Sequence, residues 1–264
     1  MQKFPFKPIA LATFISLSVA ACGSSGGGSG VKSTTTTNNS STQSSSNSTD
    51  TTFYATGDVR FNKDGSGLLV DARHKIVNAT KSDQSIYKQV YETLIEQTGE
   101  NAYHQSYTAY GLHNMGTESS QDYRVVFAAK DIPSTLPDSL DASYNGKAIF
   151  TDPEQENQFV NGTINMTIKN QQITGAFDFA QNGKLTITNA EIDTSNITEK
   201  KSGANFNIGG ELTGSIKNIP LSDGGFYGFV AGKQYEEVVG AIFGNLEKDS
   251  TTIEAQGVFA GSKQ

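Results

Sequence analysis

Apolar residues at every second position constrain this chain more than any other feature. They recur with period 2 in Ile164, Met166 and Ile168, and again in Ile173, Gly175, Phe177 and Phe179. A third row runs through Phe206, Ile208, Gly210, Leu212, Gly214 and Ile216. Period 2 places a row on one face of a β-strand. A slip of one residue would turn the row outward, so the pattern also sets register. Eight segments read as strands: 144–151, 159–169, 172–180, 184–190, 206–216, 225–231, 237–246 and 251–260. Asn170, Asn182-Gly183, Asp223-Gly224 and Asp249 read as the turns between them. Asn-Gly between alternating segments is a two-residue hairpin signal. Eight antiparallel strands can close into a barrel filled by their own side chains, a closure that leaves no exposed edge.

The last three segments are short runs of apolar and aromatic residues bounded by Gly, Lys or Asp. In 237–246, Val239, Ala241 and Phe243 alternate with Val238, Gly240, Ile242 and Gly244, which fits a strand with one face inward and one outward. Glycines inside such strands mark curvature or close backbone approach.

The N-terminus has another character. Residues 1–21 read as a secretory signal peptide, with Lys3 and Lys7 ahead of an apolar run from Ile9 to Ala21 that is short for a bilayer span. Val19-Ala20-Ala21-Cys22 matches a bacterial lipobox, which predicts lipidation of Cys22 and a lipid anchor in a membrane. Cys22 is the only cysteine of 264 residues, so the chain forms no intrachain disulfide. Residues 22–52 are Ser, Thr, Gly and Asn with almost nothing apolar, and read as a flexible tether. Roughly 30 such residues reach about 30 Å on average, enough to hold a folded body off its membrane and to favour surface display. Without residues 1–21 the chain keeps 18 basic and 27 acidic side chains, a net charge of −9. That balance gives no electrostatic attraction to nucleic acid.

Residues 53–130 read as a small α+β domain, with strands at 53–61, 67–72, 102–113 and 123–129. Ile86, Val90, Tyr91, Leu94 and Ile95 fall at helical spacing, with Ser82 or Asp83 as N-cap and Gly99 as stop. Residues 131–142, with Pro133 and Pro137, read as a linker, and 143–264 as the second domain. The expected fold is therefore mainly β: a small α+β N-terminal domain followed by an eight-stranded antiparallel β-barrel.

Gly224-Gly225-Phe226-Tyr227-Gly228, followed by Ala231, Glu236 or Glu237, Gly240 and Phe243-Gly244, resembles the GGFYG…A…E..G.FG signature of the transferrin-binding-protein-B-like barrel. Leu136-Pro137 and the run from Ala142 to Ala148 are similar to the LP…ATY.G.AF opening of factor H-binding proteins. A Pro is common after FYG in that family, where this chain has Phe229. The resemblance is weak to absent before Asp131. It implies a surface lipoprotein of the bacterial outer membrane, exported with a Slam-type translocon, that captures a host protein or haem without catalysis. Haemophilins, in the same group, carry a small haem-binding domain ahead of the barrel.

No catalytic motif stands in the folded part. The one GxSxG match, from Gly23 to Gly27, lies in the tether rather than at a strand-to-helix turn. Asp152, Glu154 and Glu156 lack the spacing of a calcium loop and read as a solvated hairpin. Glu236 and Glu237 are adjacent, so on a strand they point to opposite faces and make no acid–base pair. All three histidines fall before the barrel: His74, His104 and His113. A haem pocket needs a neutral imidazole ligand and aromatic walls. These histidines are the candidate haem ligands, His104 first because it sits in a strand and His74 in a loop. Tyr103, Tyr107 and Tyr110 are the candidate pocket aromatics. Tyrosines packing a sheet face beside ordinary surface histidines give the same pattern. The leading expectation is iron acquisition through haem or a haem- or iron-carrying host protein. The alternative is a complement-regulator-type host protein, bound for immune evasion.

Overall fold

The computed structural model describes residues 54–58, 68–70, 76–78, 84–114, 123–195 and 206–264. Residues from Thr51 to Gln264 make one compact unit. Before the barrel come β1 (Tyr54–Asp58), β2 (Leu68–Val70), β3 (Ile76–Asn78), α1 (Gln84–Glu96), β4 (Tyr103–His104), β5 (Thr108–Asn114) and β6 (Tyr123–Lys130). The barrel follows: β7 (Ala142–Thr151), β8 (Phe159–Lys169), β9 (Gln172–Asp178), β10 (Gly183–Ile192), β11 (Ile208–Ile216), β12 (Ile219–Ala231), β13 (Glu237–Lys248) and β14 (Thr251–Lys263).

Strands β7 to β14 close into an antiparallel barrel, with β14 on β7 and β9 on β10 completing the ring. The rows read from the sequence face inward: Ile164, Met166, Ile168, Ile173, Phe177 and Phe179 are buried in one cluster with Leu185, Leu212, Phe226, Ile242 and Phe259. Phenylalanine rings fill the centre. Phe177 lies 5.1 Å from Phe259 and 6.1 Å from Phe226, and Phe150 lies 5.9 Å from Phe179. Eight strands enclose a space just wide enough for such side chains. The interior is a core.

The other strands form two small sheets. One has the order β1-β6-β5-β4, and β2 pairs with β3. The four-stranded sheet is covered on both faces. Ala109, Val126 and Ala128 meet Val90, Tyr91 and Leu94 of α1. Tyr110, Val125, Phe127 and Ala129, on the opposite face by strand alternation, meet the outside of the barrel. There they pack on Ile149, Phe229, Ala231, Val239, Ala241, Val258 and Ala260. Strands buried on both faces lose the polar half of their alternation. This is why Val238–Phe243 of β13 and Gly257–Gly261 of β14 carry no polar side chain.

Several local expectations change. The hairpin of β11 and β12 turns at Lys217-Asn218, both at positive φ (50° and 65°), with Ile216 opposite Ile219. Two left-handed residues make the tight turn whose twist suits paired strands. Asp223 and Gly224, read as that turn, instead lie inside β12, where register shifts on both neighbours mark a bulge. Asn182-Gly183 is not a two-residue hairpin either. The chain passes through a short 3-10 turn at Ala180–Asn182, because Phe179 continues into the core before the chain reverses. Gly183 is needed for close approach: a Cβ there would stand 2.2 Å from the Ser215 carbonyl oxygen, at φ 121°. Phe206 precedes β11 and packs outside the barrel, 4.1 Å from the Tyr227 ring. The segment around His74, read as a loop, contains β3. Ile95, placed on the buried stripe of the helix, is 36% exposed.

Candidate functional site

The segment read as one strand, 102–113, is two strands joined by a turn over Gln105–Tyr107. Tyr103 stands opposite Tyr110, and His104 opposite Ala109. A carboxylate from the barrel shapes the turn. Glu237 opens β13 and is buried, at 5% exposure. One oxygen accepts the Ser106 backbone N–H at 2.9 Å. The other accepts the Tyr107 N–H at 2.9 Å and the Thr108 hydroxyl at 2.8 Å. Consecutive N–H groups aimed at one carboxylate form an anion nest, and hydrogen bonds to an ionised acceptor are the strong kind. Glu236 goes elsewhere, accepting the Gln234 N–H at 2.8 Å.

Of the sequence-predicted aromatics, Tyr103, Tyr107 and Tyr110 are brought together on the barrel side of the sheet. The Tyr103 and Tyr110 rings are 5.8 Å apart. The Lys147 ammonium lies 4.9 Å from the Tyr103 ring centre, and that of Lys130 lies 5.9 Å from Tyr107 and 5.2 Å from Tyr91. Burial pushes the Tyr110 hydroxyl well above the ordinary phenol range, with Tyr103 adding to the shift.

His104 is exposed, and its register partner Ala109 belongs to the helix-facing side of the sheet. The three tyrosines therefore do not stand around His104 as walls. His113 lies on β5 opposite Arg124, four positions from Ala109, or about 13 Å along the strand. His74 and Cys22 lie outside the described residues. Among the described residues no group of three His, Cys, Asp or Glu side chains is placed to hold a metal ion.

Three polar anchors escaped sequence reasoning. Glu237 is one. Gln256 of β14 is the second: its amide nitrogen donates to the Tyr123 carbonyl at 2.7 Å, and its oxygen accepts the Val125 N–H at 3.4 Å. The third lies in the acidic hairpin, where Glu154 and Glu156 are exposed as its solvated reading expects but Asp152 is not. Asp152 is buried and receives the Lys217 ammonium at 2.9 and 2.8 Å, while Glu154 accepts it at 3.0 Å. These hydrogen bonds, Asp152 first and Glu154 second, raise the Lys217 pKa above its ordinary value. Each anchor joins residues 63 or more positions apart, beyond any local signal.

No family model matches the chain, and no curated protein matches it. Solved structures do. A mutant of Transferrin Binding Protein B from Haemophilus parasuis Hp5 aligns at 13% identity and TM-score 0.47, over 81% of this chain and 45% of that one. Transferrin binding protein B from serogroup B Neisseria meningitidis aligns at 13% identity and TM-score 0.41, over 64% of this chain and 35% of that one. A structure described as a surface lipoprotein aligns at 14% identity and TM-score 0.35, over 80% of this chain and 98% of that one. This chain thus spans less than half the length of the transferrin-binding proteins from H. parasuis and N. meningitidis.

Proposed function

We propose that this chain is a surface lipoprotein that captures a host ligand without chemistry. The observation that carries the reading is the division of labour in the folded body. The barrel interior is filled by its own side chains, which leaves the barrel a scaffold. One wall of that scaffold carries a small α+β layer with α1 and β4 toward solvent. Cys22 supplies the lipid anchor and residues 22–52 the spacer, in the outer membrane with the body outside. A Slam-type translocon delivers it there, as the sequence resemblance implies.

The ligand in this reading is haem or a haem- or iron-carrying host protein, taken for iron acquisition. His104 is the first candidate ligand to haem iron, because its exposure on β4 leaves it accessible. One observation favours a second reading, a host protein such as a complement regulator bound for immune evasion. Tyr103, Tyr107 and Tyr110 are spent on the seam with the barrel, which takes aromatic walls away from His104.

Haem titration of the lipid-free Cys22→Ser protein, followed by absorbance, separates direct haem capture from capture of a host protein, and the identity of the recovered protein separates an iron carrier from a complement regulator. Haem capture predicts a saturable, sharp Soret band that His104→Ala, or failing it His113→Ala or His74→Ala, abolishes. A protein ligand predicts no saturable band and recovery of a serum protein on cells displaying the anchored chain.

A further inference from the structure

The surface joining the four-stranded sheet to the barrel is apolar. At one place it interlocks, where the Phe127 ring of the sheet stands 6.0 Å from Phe229 and 6.1 Å from Tyr227 of the barrel. Elsewhere the barrel side is largely Ala231, Val239, Ala241, Val258 and Ala260, small side chains whose burial is favourable but non-directional. Glu237 and Gln256 supply direction. Both are buried polar side chains on the wall that faces the sheet, and both bind backbone groups of the sheet. Glu237 stands opposite Ser262 of β14, six positions from Gln256, so the two lie about 20 Å apart along the wall.

We propose that Glu237 and Gln256 are two register pins that fix the α+β layer on the barrel, and that Glu237 is the latch of the β4–β5 hairpin. The latch works through the nest. With the carboxylate in place, the Ser106 and Tyr107 N–H groups point at the barrel and the hairpin closes with Tyr103 and Tyr110 inward and His104 outward. Gln105 adds a bond from its amide to the Ser262 hydroxyl, but that residue sits on the turn and follows it. Without the carboxylate two backbone donors lose their acceptor in a half-buried place, and the hairpin gains the freedom to open. The turn's carbonyls are held from the sheet and helix, by the Lys130 N–H on Tyr107 and the Tyr91 hydroxyl on Ser106, while its N–H groups are held by a barrel residue 130 positions away in sequence. The proposal concerns the protein alone and holds whichever ligand is captured.

Hydrogen exchange of the full chain, read by mass spectrometry on peptides covering 103–110, tests it. Glu237→Gln replaces one carboxylate oxygen by an amide that faces another donor. It should speed exchange of the Ser106 and Tyr107 amides about tenfold or more, with β8 to β10 unchanged. Glu237→Asp should recover part of the protection. Gln256→Ala should loosen peptides around Tyr123–Val125 and leave 103–110 protected. Unchanged exchange at 103–110 in Glu237→Gln, or equal acceleration throughout the chain, would overturn the latch. If Glu237→Gln does not fold, Thr108→Val decides. It keeps the carboxylate and removes one donor, and the same local acceleration, smaller in size, is expected. No local change there would also overturn the proposal.

Discussion

Two walls of the same barrel follow different rules. On β8 to β11 the outward residues are Asn161, Thr163, Asn165, Thr174, Thr186 and Thr213, all exposed. On the stretch of β12 to β14 beneath the sheet, the outward residues include Phe229, Val239, Ala241, Val258 and Ala260, all buried. The backbone ladders are alike, and the inward residues of both walls share one core. What differs is the cover: water on one side, the sheet of β1, β4, β5 and β6 on the other. The outward half of a barrel sequence therefore records the neighbour of each wall. A run that abandons alternation inside an alternating barrel marks where a second layer docks.

The sharpest way to break this comparison is to place the same charge on each wall. Val258→Asp puts an unpaired carboxylate under the sheet and should destabilise by about 4 kcal/mol or more, if the protein folds at all. Thr174→Asp should stay within about 0.5 kcal/mol. Urea unfolding of the two variants reads the difference, and equal losses would mean that the walls are not distinct.

A smaller effect is expected from removing the cover. A fragment of residues 131–264 should keep the circular dichroism of a β protein, because its core is internal. It should also bind an apolar dye and self-associate through the bared wall of Phe229, Val239 and Val258. A monomeric fragment that ignores the dye would show that the sheet protects nothing.

The smallest effect appears only in alkali. Tyr110 in the seam and Tyr144 in the barrel interior both have hydroxyls pushed far above the phenol range. Burial is the first cause in each, followed by Tyr103 for the former and Glu236 for the latter. Tyr144 also donates to the Tyr235 carbonyl at 2.9 Å. A raised native pKa favours folding fully below the unfolded value, about 10, and loses that contribution as pH climbs above it. Stability should fall above pH about 10, by up to about 1.4 kcal/mol per pH unit for each tyrosine. Tyr110→Phe and Tyr144→Phe should each remove one share of that slope. A slope that responds to Tyr144→Phe alone would mean that the seam is wetter than the core.

Much of this organisation was legible in the residues. The strand read at 159–169 is β8 residue for residue, and the rows through Ile164 and Ile173 face inward as their period requires. The stop at Gly99 lies three residues past the end of α1, at φ 117°. The site was less legible. Tyr103, Tyr107 and Tyr110 were recognisable as a group, but a half-buried sheet and a ligand pocket ask for the same side chains. The face that each residue takes depends on the Gln105–Tyr107 turn. That turn depends on Glu237, whose partners are remote in sequence and whose local setting is an ordinary strand start.

Period and composition therefore determined by themselves the eight barrel strands, their inward rows apart from Phe206, and the apolar excess of β12 to β14, because each is a property of neighbouring residues along one strand. The tertiary structure decided the corner at Lys217-Asn218, the bulge at Asp223-Gly224, the burial of Asp152 against Lys217 and the direction of His104. Each of these is a choice between locally acceptable conformations, settled by a hydrogen-bonding or packing partner that only the closed barrel brings into reach.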